Sequence, residues 1–143
     1  MEPLTVKGTL EALGPVREYV KAAAAAAGLD RRTTYRLSLA VDEIATNSVV
    51  HGYAEAHRQG DLKVIAKLDA QSFSITLEDT GAPFDPHRIP PPANLELPLE
   101  QRSIGGLGVY LALKGVDQFI YEYSGNRNRN TFVIHLAAAS TKA

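Results

Sequence analysis

Leu37–Tyr53 reads LSLAVDEIATNSVVHGY, and its reading decides the fold. Leu37, Ala40, Val41, Ile44, Ala45, Val49 and Val50 recur at helical spacing, which predicts an amphipathic helix with its apolar side on a core. The other side carries a carboxylate, an amide and an imidazole at steps of four: Glu43, Asn47 and His51. A step of four advances only about 40° around a helix, so the three lie on one slowly turning stripe. Asn in a helix interior competes for its own backbone and lowers helix stability. A helix that only packed would not place one there, so the stripe is expected to hold or read something.

Upstream, Asp30 is the expected N-cap of this helix and Gly28 the C-terminal cap of an earlier one, from about Glu11 to Ala27, which includes the alanine run Ala22–Ala27. Before it, Leu4–Leu10 alternates apolar and polar residues and reads as a strand. Downstream, Gly52 is expected to stop the central helix, and 54–60 is a polar connection. Asp61–Leu68 and Ser72–Glu78 alternate and are joined by Asp69-Ala70-Gln71, which predicts an antiparallel hairpin. The second strand runs into DTGAPFDP at 79–86, too dense in turn residues to continue it. His87–Ser103 holds four prolines and little periodicity and reads as a long loop. It ends in IGGLG at 104–108, followed by a helical VYLALKGV. Gln118–Tyr123 and Thr131–Leu136 are the last expected strands, with GNRNRN at 125–130 as the turn between them.

The order β-α-α-β-β-loop-α-β-β predicts the α+β class: a two-layer α/β sandwich with helices on one face of a mostly antiparallel sheet. All 143 residues suit one domain with a real core. There is no cysteine, which excludes a disulfide framework and thiol chemistry and is compatible with a cytoplasmic location. A formal net charge of −1 gives no electrostatic case for nucleic acid. No apolar run reaches the length of a membrane span, and the N-terminus lacks a signal-peptide pattern.

Four clusters carry potential chemistry. Glu43 and Asn47 could supply a general base and an oxygen ligand for Mg²⁺, which takes few protein ligands and keeps several waters. Taken alone, the pair reads as a solvated helix face. Asp79 and Gly81 stand where a strand ends. A carboxylate there can accept from an exocyclic amine, and glycine lets backbone approach a flat ring. Taken alone, this is an ordinary turn. Gly105, Gly106 and Gly108 open a helix, presenting free N–H groups to an anion, with Arg102 just before them. They form neither a Walker motif nor G-x-G-x-x-G, and alone they read as a hinge. Thr131, in the closing strand, is commonplace by itself.

In this order the clusters resemble the GHKL ATPase superfamily, whose ATP site is built on the Bergerat fold. E-x-x-x-N on a helix is followed by D-x-G after a strand, a variable lid, a glycine-rich helix start and a strand Thr. The chain looks most like the small anti-sigma-factor serine kinases of bacteria, the RsbW and SpoIIAB type. EIATNSVVHGY from Glu43 to Tyr53 and DTGAPFDP from Asp79 to Pro86 carry that likeness, which covers nearly the whole chain. Pro83 departs from the second glycine of the wider superfamily's D-x-G-x-G, as is usual in this branch.

The resemblance implies ATP and Mg²⁺ as cofactors. Asn47 would ligate the metal and Asp79 would hold the adenine amino group, with Gly81 below the ring. Thr131 would support Asp79 or a nearby water. Gly106 and Gly108 would line the phosphate side, where Arg102 adds charge, and residues 82–104 would form a lid. Glu43 would be the general base toward a serine or threonine hydroxyl; His51 would contact phosphate or a partner. The implied partners are a STAS-domain anti-sigma antagonist, a sigma factor and a second copy in a homodimer. Two rivals follow. A binding module could hold ATP and sequester a partner without phosphorylating it. A histidine-kinase catalytic domain is disfavoured, because the residues before Glu43 are used by a strand and two helices.

Overall fold

The computed structural model describes residues 1–88 and 104–136. Strand β1 (Leu4–Lys7) leads through a 3₁₀ turn at Leu10–Ala12 into helix α1 (Leu13–Ala26). Pro15 sits in the first turn of α1, where its missing N–H has no helical partner to lose. Gly28 ends the helix with φ +83°, and the Leu29 amide donates back to the Ala24 carbonyl at 3.0 Å. The Asp30 carboxylate caps helix α2 (Arg31–Asn47) by accepting from the Thr33 amide at 2.7 Å.

Helix α2 does not stop at Gly52. It widens into a π-helical segment, Ser48–Ala54, whose carbonyls at Val50 and Tyr53 accept from Glu55 and Arg58, each at 2.8 Å. Gly52 is buried inside this segment and acts as a contact surface rather than a terminator. Strands β2 (Asp61–Leu68) and β3 (Ser72–Asp79) form the expected hairpin, and the Asp69 carboxylate accepts from Gln71 and Ser72 amides, each at 2.8 Å. A 3₁₀ turn covers Pro86–Arg88, and helix α3 spans Ile104–Lys114. Arg102 and most of the expected lid lie outside the described residues.

Strands β4 (Gln118–Ser124) and β5 (Arg127–His135) close the sheet, which runs β1-β2-β3-β5-β4 with every pair antiparallel. Their turn is only Gly125-Asn126, both left-handed at φ 60° and 61°, the conformation that a two-residue hairpin requires. The polar run Arg127–Asn130, expected in the turn, is therefore strand. Its arginines alternate outward and its asparagines inward.

The core lies between the sheet and the helices. Val16 and Val20 of α1, Leu37, Val41 and Ile44 of α2, and Val109 of α3 are at most 1% exposed. They pack with Leu62, Val64, Phe73, Ile75, Leu77 and Phe132 of the sheet. Fully burying each large apolar side chain contributes about 1.5–3 kcal/mol. The predicted α+β sandwich with helices on one face is the observed architecture. It puts the stripe of α2 and the end of β3 on the same side of the sheet.

Candidate functional site

Strand alternation places Phe73, Ile75, Leu77 and Asp79 on the helix-facing side of β3. Asp79 is thus a carboxylate carried to the rim of the core, 3% exposed. One oxygen, Oδ1, accepts from the Gly81 amide and from the Asn128 side-chain amide, both at 2.9 Å. Among the described residues Oδ2 receives no hydrogen bond.

Asn128 stands opposite Asp79 in the β3–β5 register and is 2% exposed. Its Nδ2 also reaches the carbonyls of Gly81 (3.2 Å) and Ala82 (3.0 Å). Its Oδ1 accepts from the Phe84 amide at 3.2 Å and from the Tyr121 hydroxyl. One buried amide therefore organises the turn from Asp79 to Phe84. Burial and the nearby Asp85 and Asp79 charges push the Tyr121 hydroxyl up, so it stays a donor to Asn128.

Thr131 does not share this role. It lies opposite Thr76, and the two hydroxyls are 3.2 Å apart on the outer face of the sheet. A one-residue difference in parity along a strand reverses the face, so Thr131 is on the side away from Asp79. The partner of Asp79 is Asn128, which sequence reading placed in a turn.

The π-helical segment clamps the same turn from the other side. Gly81 packs on the backbone of Gly52, and the Ala82 amide donates to the Gly52 carbonyl at 2.9 Å. Tyr53 is 2% exposed. Its hydroxyl donates to the Asp61 carbonyl at 2.6 Å and accepts from the Thr80 amide at 2.8 Å. Gly8 and Gly60 leave room for its ring. The His51 ring stacks on Phe84 at 5.1 Å, and its Nδ1 pairs with Glu55 at 2.6 Å. His51 thus covers the turn.

Glu43 sits between α2 and α3. Gly108 lies against the Glu43 carboxyl group: a Cβ there would overlap the end of that flexible side chain and make it shift. Burial pushes the Glu43 carboxyl above the ordinary glutamate value of 4.5, and the adjacent Asp42 charge adds to the rise. Asn47 closes α2 one turn further on, half-buried, and makes no hydrogen bond among the described residues. Gly105 and Gly106 fall in the first turn of α3, as the glycine run implied. The structure therefore groups Asp79, Gly81 and Asn128 at one end of the sheet, and Glu43 with Gly108 between two helices. A hollow of about 680 Å³ beside Lys7, Leu10, Arg58 and Asp61 shares none of these residues, and its charged side chains are exposed.

Sequence reading missed Asn128 and the roles of Gly52 and Tyr53. The available signal was the R-N-R-N alternation at 127–130, which has the period of a strand.

A family model described as "Histidine kinase-like ATPase domain" matches residues 6–134. Among solved structures, the RsbU and RsbW domains of Rv1364c from Mycobacterium tuberculosis align with a TM-score of 0.63 at 20% identity, over 94% of this chain and 32% of that one. The histidine kinase domain of a blue-light activated histidine kinase from Erythrobacter litoralis aligns with a TM-score of 0.54 at 16% identity, over 90% of this chain and 63% of that one. This chain thus spans about a third of the first structure and less than two thirds of the second. At these identities the likeness is one of fold. No curated protein matches the chain.

Proposed function

The chain belongs to the histidine kinase-like ATPase domain family, and on that premise we propose that it is an ATP-dependent serine/threonine protein kinase acting as an anti-sigma factor. Its acceptor would be a STAS-domain antagonist, and the free kinase would hold a sigma factor. Partner choice would follow the nucleotide and phosphorylation state by differential binding. The kinase would work as a homodimer.

The observation that carries the kinase reading is Glu43. Its half-buried carboxyl lies against the glycine-opened helix α3, and its proton affinity is raised. A hydroxyl is a weak nucleophile at neutral pH, and a base whose pKa lies nearer neutrality removes its proton more effectively. Glu43 would take the proton of the serine or threonine hydroxyl as that oxygen bonds to the γ-phosphorus and the bond from that phosphorus to the bridging oxygen breaks, with ADP leaving.

The residues present fit a nucleotide. Asp79 has one oxygen saturated and the other without a hydrogen bond among the described residues, so it can accept from an exocyclic amine. Asn47 would hold Mg²⁺ through its amide oxygen. Gly106, with Arg102, would face the phosphates, while Gly108 gives Glu43 its place. Bound ATP supplies the phosphoryl group, and Mg²⁺ neutralises its charge. The remaining work of the chain is alignment: Asn128, Gly52 and Tyr53 keep the Asp79 turn in one geometry.

Phosphoryl transfer from labelled ATP to a STAS-domain antagonist tests the reading. Transfer by the wild type, lost in Glu43→Gln while ATP binding persists, supports a kinase. ATP binding without transfer in the wild type would favour a module that sequesters a partner and phosphorylates nothing.

A further inference from the structure

Asn130 is 2% exposed, and among the described residues its Oδ1 has no hydrogen-bond partner. Native proteins satisfy the large majority of such atoms, so an orphan of this kind points to a missing donor. The neighbouring side chains do not provide one. Leu77 lies opposite Asn130 on β3, Phe132 follows it on the same face of β5, and both are apolar and fully buried. Tyr121 lies opposite on β4, and its hydroxyl donates to Asn128.

Asn130 follows Asn128 by two residues, so both face the helices. Asn128 is opposite Asp79, which makes Asn130 the diagonal neighbour of Asp79 on the same face. Diagonal neighbours in an antiparallel pair are about 7–8 Å apart, within reach of one another through longer side chains. Two acceptors flanking one amine stand about 5 Å apart by ordinary hydrogen-bond geometry. Side chains leaning together from the two positions can meet that spacing.

We propose that Asn130 is a second acceptor for the amino group of adenine. Asp79 Oδ2 takes one N–H of the amine and Asn130 Oδ1 takes the other. The inference rests on the nucleotide site proposed above and adds a specificity-determining residue to it. A 6-oxo purine would present an oxygen to the acceptor-only Asp79 carboxylate and would meet Asn130 favourably only after its amide turned over, so the pair favours the 6-amino purine.

The test is calorimetric binding of three triphosphates to the full chain: ATP, ITP, and the purine riboside triphosphate that lacks the amino group. Asn130→Leu keeps the shape of the side chain and removes the orphan atom; Asn130→Ser is a second variant, should the leucine perturb folding. The expected result is a loss of about 5–10-fold in ATP affinity, the size of one net hydrogen bond. Affinity for the des-amino triphosphate stays unchanged, and the preference for ATP over ITP shrinks. Equal losses for ATP and the des-amino triphosphate, or no loss for ATP, would overturn the proposal and leave the nucleotide site standing. Wild-type protein that binds none of the three would instead overturn the nucleotide site, and this inference with it.

Discussion

Gly81 lies directly on the backbone of Gly52: a Cβ at position 81 would stand 2.6 Å from the Gly52 carbonyl oxygen. The contact is asymmetric. A Cβ at position 52 would meet its nearest neighbour, the Gly81 Cα, at an ordinary 3.7 Å. Two glycines far apart in sequence thus join the central helix to the Asp79 turn, and only one of them is sterically obligatory.

That asymmetry sets the first expectation. Gly81→Ala should destabilise the fold by about 1–3 kcal/mol, the usual cost of forcing atoms into a packed site, and should weaken nucleotide binding by displacing the turn. Gly52→Ala should change stability by less than about 1 kcal/mol, because alanine also favours a helix. Urea unfolding of both variants measures the difference.

Removing the Asn128 amide should cost far more than removing the Thr131 hydroxyl. Asn128→Ala removes the donor to the Gly81 and Ala82 carbonyls and one of the two donors to Asp79 Oδ1. Each unsatisfied buried group costs about 1–3 kcal/mol, so a total of roughly 2–4 kcal/mol is expected after partial relaxation. Thr131→Val loses one hydroxyl pair on the outer face of the sheet, worth about 1 kcal/mol or less. Nucleotide affinity should fall only in the first variant.

Glu43 and Gly108 should be energetically coupled. Gly108→Ala drives a methyl group into the Glu43 carboxyl, but the clash disappears when Glu43 is also alanine. A double-mutant cycle by thermal unfolding should give a coupling energy of about 0.5–1 kcal/mol, the low end for residues in direct contact, because the carboxyl end of Glu43 can swing aside. Additive effects would show that the two do not touch.

The pH dependence of stability should carry the signature of Glu43. Its folded pKa lies above the ordinary value of 4.5. The folded state therefore holds the proton more tightly than the unfolded state. The stabilisation is complete below the ordinary value and is lost as pH rises through the folded pKa. Glu43→Gln lacks this loss. Its melting temperature relative to wild type should rise across that window and level off above it. Phosphoryl transfer by the wild type should show an acid limb above the normal glutamate range, because only the ionised carboxylate is a base.

The helices, the β2–β3 hairpin and the position of Asp79 at a strand end were legible because each rests on local period or turn chemistry. Gly28 and Asp30 are caps, and caps are local too. Gly52 was misread as a stop because a glycine after a polar residue near a helix end has that local meaning. Its actual neighbour, Gly81, belongs to another element. Asn128 was hidden by composition: Arg127–Asn130 is polar enough for a loop, yet a left-handed Gly125-Asn126 pair completes the turn alone and frees the rest to pair. Thr131 was placed by the motif resemblance alone; alternation with the inward Phe132 and Ile134 puts it on the outer face wherever β5 begins. The raised proton affinity of Glu43 was equally illegible, because it depends on α3 packing against α2.

The most direct test of the account is ATP binding by calorimetry in the presence of Mg²⁺, on wild type and on Asp79→Ala. The account predicts binding by the wild type and a loss of at least about 10-fold in the variant, as expected for a hydrogen bond to a charged group. Wild-type protein that binds no ATP, or a variant that binds as well as wild type, would contradict it.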